Sequence, residues 1–133
     1  MPHSTNYFDT LILPAPDTKA SAAKVPDKPE SVAGMQYALI ADAPYSLTSD
    51  DVFVSVRADR KAIPMNERDD FRTEFFAKGQ PCFRASPLPK THGWAIHSDA
   101  QGRVALVNPD SARFDSLMSD DNVVKTYAMR NAR

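Results

Sequence analysis

Residues 94–107 constrain the fold more than any other stretch: Trp94-Ala95-Ile96-His97, then Ser98-Asp99-Ala100-Gln101-Gly102, then Arg103-Val104-Ala105-Leu106-Val107. Two runs of strand-forming residues around a polar loop that ends in glycine specify a β-hairpin. Side chains alternate across a strand, so Trp94 and Ile96 share one face with Val104 and Leu106, and Ala95 and His97 take the other. The first face is expected to be core. Just upstream, Cys82 to Ser86 reads as a further short strand. Pro87 and Pro89 then forbid regular pairing, because each lacks a backbone N–H and restricts the residue before it.

The same quarter of the chain, 81–107, holds the only tryptophan, the only cysteine and two of the three histidines. With Phe83 and Ala85 inward, Cys82, Arg84 and Ser86 lie on the surface that also carries His97. A thiol needs a neighbouring base to become a thiolate near neutral pH, and a Cys82–His97 pair would supply one for hydrolysis or thiol chemistry. Against that pair stand the lack of any flanking signature and the tendency of a lone cysteine to pack as a small hydrophobe. His92 and His97 are an odd number of residues apart and project to opposite faces of a strand, so no metal is expected. Arg84, Lys90, His92 and Arg103 gather beside the proline loop, and loops on a rigid sheet commonly carry recognition. They are expected to form a recess for an anionic small molecule or an acidic partner segment. A non-enzymatic binding role is therefore the first expectation, and a small enzyme using Cys82 and His97 the alternative. Single-stranded nucleic-acid binding on exposed aromatics is a third.

In chain order, Tyr7 to Leu13 alternates as a first strand that Pro14 and Pro16 end. Pro14 through Glu30 carries four prolines, three lysines and no aromatic residue. Such a segment buries too little apolar surface to offset its ordering entropy, and reads as a surface loop or mobile arm. Ser31 caps a helix in which Val32, Met35, Gln36, Leu39 and Ile40 recur at helical spacing up to Pro44. Val52 to Arg57 reads as a strand with Val52, Val54 and Val56 inward, and Asp50 and Asp51 before it as solvated turn residues. A second helix runs from Asn66 to Lys78 with Phe71, Phe75 and Phe76 as its stripe. A third starts at Asn108-Pro109-Asp110, with Phe114, Leu117 and Met118 on one face, and a last helical segment spans Val123 to Arg130. The sum is a single α+β domain over 1–133. Its sheet is mostly antiparallel or mixed, with about five strands and three to four helices packed on it.

At 133 residues the chain is of ordinary length for one domain. Its hydrophobic content of 42% suits a soluble protein, and no apolar run nears the ~20 residues of a membrane span, so no membrane partner is expected. Sixteen basic residues against seventeen acidic ones lack the excess that phosphate neutralisation demands, which makes nucleic acid an unlikely partner. The first residues lack the basic start and apolar run of a signal peptide, and one cysteine permits no intrachain disulfide; a cytoplasmic location is expected. Four scattered glycines form neither a phosphate-cradling loop nor a dinucleotide fingerprint, and the hydrolase and zinc motifs are absent, so no cofactor is anticipated. The chain is expected to act as a monomer or homodimer.

Five blocks, Thr5-Asn6-Tyr7-Phe8-Asp9-Thr10, Thr48-Ser49-Asp50-Asp51-Val52, Lys78-Gly79-Gln80-Pro81-Cys82, Arg84-Ala85-Ser86-Pro87-Leu88 and Gly93-Trp94-Ala95-Ile96-His97-Ser98, keep their order along the chain. With the terminal Ala128-Met129-Arg130, they resemble a bacterial family, domain of unknown function family 6157. The resemblance spans nearly the whole chain and is weakest over 14–30. It implies no activity and no catalytic or binding residues.

Overall fold

The computed structural model describes residues 3–132. Among them the order is β1 (Thr10–Leu13), α1 (Val32–Asp42), α2 (Ser49–Arg60), α3 (Arg68–Phe75), α4 (Pro87–Lys90), β2 (Ala95–Ser98), β3 (Val104–Val107), α5 (Ala112–Ser119) and β4 (Val124–Tyr127). Short 3₁₀ turns cover Met65–Glu67 and Phe83–Ala85. The sheet is mixed, in the order β3-β2-β1-β4, with β1 parallel to β4 and the other pairs antiparallel. The α+β class is as expected, but with four strands rather than five and five helices rather than three or four.

The hairpin forms with the anticipated faces but shifted bounds: Ala95–Ser98 pairs with Val104–Val107, so that Ile96 lies opposite Leu106 and Ser98, expected in the loop, lies opposite Val104. On one face Ile12, Ile96 and Val104 pack with Ile40, Val52, Leu88 and Phe83, and Trp94 and Leu106 close the margin. On the other, Leu11, Leu13, Ala95 and Val107 meet Phe114 and Leu117 of α5 and Val123. A strand covered on both faces needs no polar side, which accounts for the Thr-Leu-Ile-Leu run of β1, every residue of it buried.

Residues 52–57 depart furthest from the sequence reading: they lie in a helix. Thr48 and Asp51 form a capping box, in which the Asp51 N–H donates to Thr48 Oγ1 (3.2 Å) and the Thr48 N–H donates to the Asp51 carboxylate (3.0 Å). The alternation of buried Val52, Val54, Val56 and Ala58 mimics a strand because α2 is covered on two sides. Val52 and Val56, one turn apart, make one buried stripe; Asp50, Val54 and Ala58 recur every four residues as a second. Nor are the two aspartates solvated turn residues. Asp50 is buried and accepts from the Thr5 N–H (2.6 Å), the Thr5 hydroxyl (2.7 Å) and the Ser4 hydroxyl (2.9 Å). Burial pushes the Asp51 carboxyl upward, but hydrogen bonds from Thr48 and the Arg72 guanidinium (2.8 Å) outweigh it and hold the group below the usual carboxylate range.

Two further elements exchange type. Cys82 to Ser86 is a 3₁₀ turn, and Pro87 and Pro89 open a helical turn, since a first turn has no use for their missing N–H groups; the Ser86 side chain caps it by accepting from the Leu88 N–H. The expected last helix is instead β4, where Val124, Thr126 and Tyr127 suit a strand and pair in register with Thr10, Ile12 and Leu13. Boundaries also shift. β1 begins at Thr10, α3 stops at Phe75, and α5 starts at Ala112 behind the cap Ser111, which leaves Met118 exposed.

Segment 14–30 holds no helix or strand, as expected, yet it is tied down. The Ala15 N–H donates to the Pro89 carbonyl (2.9 Å), the Lys24 N–H to that of His92 (2.8 Å), and the Trp94 indole N–H to that of Lys24 (2.9 Å). Two glycines permit the approach. A Cβ at Gly34 would overlap the Lys28 carbonyl, and one at Gly93, where φ is +77°, would stand 2.9 Å from that of Ala22.

Candidate ligand-binding cleft

On α2, Phe53, Val56, Arg57 and Arg60 follow the spacing i, i+3, i+4, i+7 and therefore share one stripe. That stripe forms one wall of a cleft of about 200 Å³, closed by Val32 and Gln36 of α1, Phe75 of α3 and the segment around Cys82 and Ser86.

The chemistry of the cleft changes with depth. Arg57 and Arg60 are exposed at its mouth, and among the described residues neither has a carboxylate within 4.0 Å, unlike Arg68 with Asp59 and Arg72 with Asp51. The Arg57 guanidinium sits over the Phe75 ring, 5.8 Å from its centroid, which holds the charge beside the opening. Arg60 Nη1 donates to the Glu30 carbonyl at 3.1 Å. Behind them the wall is apolar, with Phe53 resting on Phe83 at a ring separation of 4.6 Å.

At the inner end are Gln36, 2% exposed, and Ser86, 3% exposed. The Ser86 hydroxyl donates to Gln36 Oε1 at 2.7 Å while accepting from the Leu88 N–H at 3.2 Å. Gln36 Nε2 has no partner among the described residues. No sealed side-chain nitrogen or oxygen there goes unbonded, so Nε2 retains access to the cleft that its residue lines. Cys82 flanks this end, its Sγ 3.2 Å from the Tyr7 hydroxyl. Burial first, and then the contact with Cys82, push the Tyr7 phenol above its ordinary range.

The sheet separates Cys82 from His97. Cys82 borders the cleft on the α1–α2 side, whereas His97 pairs with Leu11 on the α5 side, where its Nδ1 lies 2.8 Å from the Tyr45 hydroxyl. Arg113 donates to that same hydroxyl at 3.2 Å. Burial, followed by the Arg113 charge, lowers the His97 pKa. The four basic residues of the expected recess line none of this cleft. Arg84 Nε donates to the Tyr127 carbonyl (2.7 Å) beside the C-terminal segment, the Lys90 carbonyl accepts from Asn131 (2.8 Å), His92 contacts the 14–30 segment, and Arg103 bridges to Thr48 at the start of α2. Sequence reasoning misses Arg57 and Arg60 as site residues because 52–57 reads as a strand, and it takes Gln36 only as part of the α1 stripe. The helical spacing of Phe53, Val56, Arg57 and Arg60 was the signal that would have revealed the two arginines. Among the described residues no three His, Cys, Asp or Glu side chains cluster as metal ligands, and no helix is long and apolar enough to cross a membrane.

These features define a small α+β protein whose sheet is covered on both faces and whose helical layer opens into a cleft, cationic at the mouth and amide-lined at the end. The chain belongs to a family of unknown function, DUF6157, whose family model matches residues 2–133 and bears out the resemblance read from the sequence blocks. No curated protein and no solved structure matches it.

Proposed function

We propose that the protein is a non-enzymatic binding module for a small anionic molecule, held in the cleft between α1, α2 and α3 with Arg57 and Arg60 as its counter-charges. The observation that carries this reading is the pair of guanidinium groups, neither matched by a carboxylate among the described residues, at the mouth of an apolar recess. A planar carboxylate pairs with the arginine fork through two parallel hydrogen bonds, and its apolar body leaves water against Phe53, Val56 and Phe75. An acidic protein segment fits less well, since a half-enclosed space of about 200 Å³ suits a compact molecule. Arg84, Lys90, His92 and Arg103 lie outside the recess and are assigned no contact with the ligand. Chemistry through Cys82 and His97 is the weaker reading, because each is hydrogen-bonded to a different tyrosine. A bacterial cytoplasmic setting goes with the proposal, supported by a lone cysteine that can form no intrachain disulfide.

Benzoate is the simplest probe. Titrated into ¹⁵N-labelled protein at low salt, it should shift amide resonances of residues 32–36, 57–60 and 82–86, with the response weakening as ionic strength rises. The Arg57→Ala/Arg60→Ala protein should lose most of that response, and undiminished binding by a folded double variant overturns the proposal.

A further inference from the structure

Resting on the anion-binding reading, we infer that the ligand is bipolar: a carboxylic acid with an apolar body and a neutral hydrogen-bond acceptor, a carbonyl oxygen, at its far end, received by Gln36 Nε2. Three observations converge on this class. The arginines stand exposed at the mouth, the apolar wall of Phe53 and Val56 follows, and the nearly enclosed Gln36 amide ends the cleft with one donor unused. The polar groups therefore occur in a fixed order along the recess.

The charge of the ligand has to stay at the mouth. An anion driven to the inner end would leave the exposed Arg57 and Arg60 for the Gln36 amide and a Ser86 hydroxyl whose proton is already given to Gln36 Oε1. Burying an unpaired charge costs several times what one amide donor returns. A carbonyl oxygen carries no such penalty and satisfies Nε2, whereas a purely apolar tail would strip water from that N–H and leave it unpaired. Ser86 acts as a positioning residue. Its hydroxyl holds Oε1, and its acceptance from the Leu88 N–H ties that hydroxyl to α4, so the free end of the amide is aimed before any ligand arrives.

The test compares para-acetylbenzoate, which has acid, ring and carbonyl, with para-isopropenylbenzoate, in which a CH2 group replaces the carbonyl oxygen on the same trigonal carbon, by calorimetry on the full chain. The wild-type protein should bind the acetyl compound roughly tenfold more tightly, the factor expected for one net hydrogen bond. In Gln36→Leu that preference should vanish, while Arg57→Ala/Arg60→Ala should weaken both acids and keep their ratio. Equal binding of the two acids by the wild-type protein overturns the bipolar ligand and leaves the anion-binding reading standing; absence of binding by both at millimolar concentration overturns the two together. The wild-type comparison decides the matter even if the Gln36 variant fails to fold.

Discussion

On the α5 side of the sheet a single helix lays Phe114 and Leu117 across Leu11, Leu13, Ala95 and Val107. On the opposite side α1, α2 and α4 converge on Ile12, Ile96 and Val104, and a recess remains beside α3 where their outer surfaces diverge. Each side also buries polar side chains, His97 on the first and Gln36 on the second among them. His97 is hydrogen-bonded to Tyr45, while Gln36 is tied at one end only. One helix can settle along the twist of a sheet, whereas several, each with its own cap and direction, cannot all meet without a seam. The seam, and the polar group left open within it, belong to the crowded side.

The largest test of this comparison is whether both sides are core. Ile96→Ala and Leu11→Ala delete fully buried side chains from opposite faces, and each should cost about 3 kcal/mol in urea denaturation. A loss under about 1 kcal/mol for either would mean that its face is loosely packed. Next comes the start of α2. Asp50→Ala leaves the Thr5 N–H and hydroxyl without their acceptor and should cost about 2 kcal/mol, while Thr48→Ala, which opens the capping box, should cost about 1 kcal/mol. If residues 52–57 were a strand, as their alternation suggests, Thr48→Ala would be nearly silent.

The polar group on the α5 side offers a smaller effect. Because burial and Arg113 lower the His97 pKa, the unfolded chain takes up this proton more readily than the folded one. Its contribution is therefore complete above about pH 6.5, the ordinary value for histidine, and is lost as pH falls through the lowered value. The melting temperature of the wild-type protein should drop on acidification from about pH 7 to about pH 5, and His97→Gln should flatten that slope. An unchanged slope would sever His97 from the pH response. Smallest of all, Arg57→Ala and Arg60→Ala should each change stability by less than about 0.5 kcal/mol, since both are exposed and, among the described residues, paired with no carboxylate. A substantial destabilisation would show that they serve the fold and not the cleft.

Alternation and turn chemistry act over a few neighbouring residues, so Trp94 to Val107 declared its hairpin and the opposed faces of Ile96 and His97 without help from the rest of the chain, while the pairing that draws Ser98 out of the loop was not declared. Ser31 and the spacing behind it declared α1 in the same way. Val52 to Arg57 shows where such evidence fails, for two-sided burial of a helix writes the same every-other-residue pattern as a strand with one covered face. Val123 to Arg130, expected as a helix, fails in the opposite sense, because the pairing partner of its strand is β1, more than a hundred residues earlier in the chain.

Which side chains are buried was thus largely written in the order of the residues, since apolarity and β-branching are local properties. Whether residues 52–57 coil or extend, and that Arg57, Arg60 and Gln36 share one recess, was settled only by assembly. Gln36 is separated from both arginines along the chain, and the three meet only where α1 packs against α2.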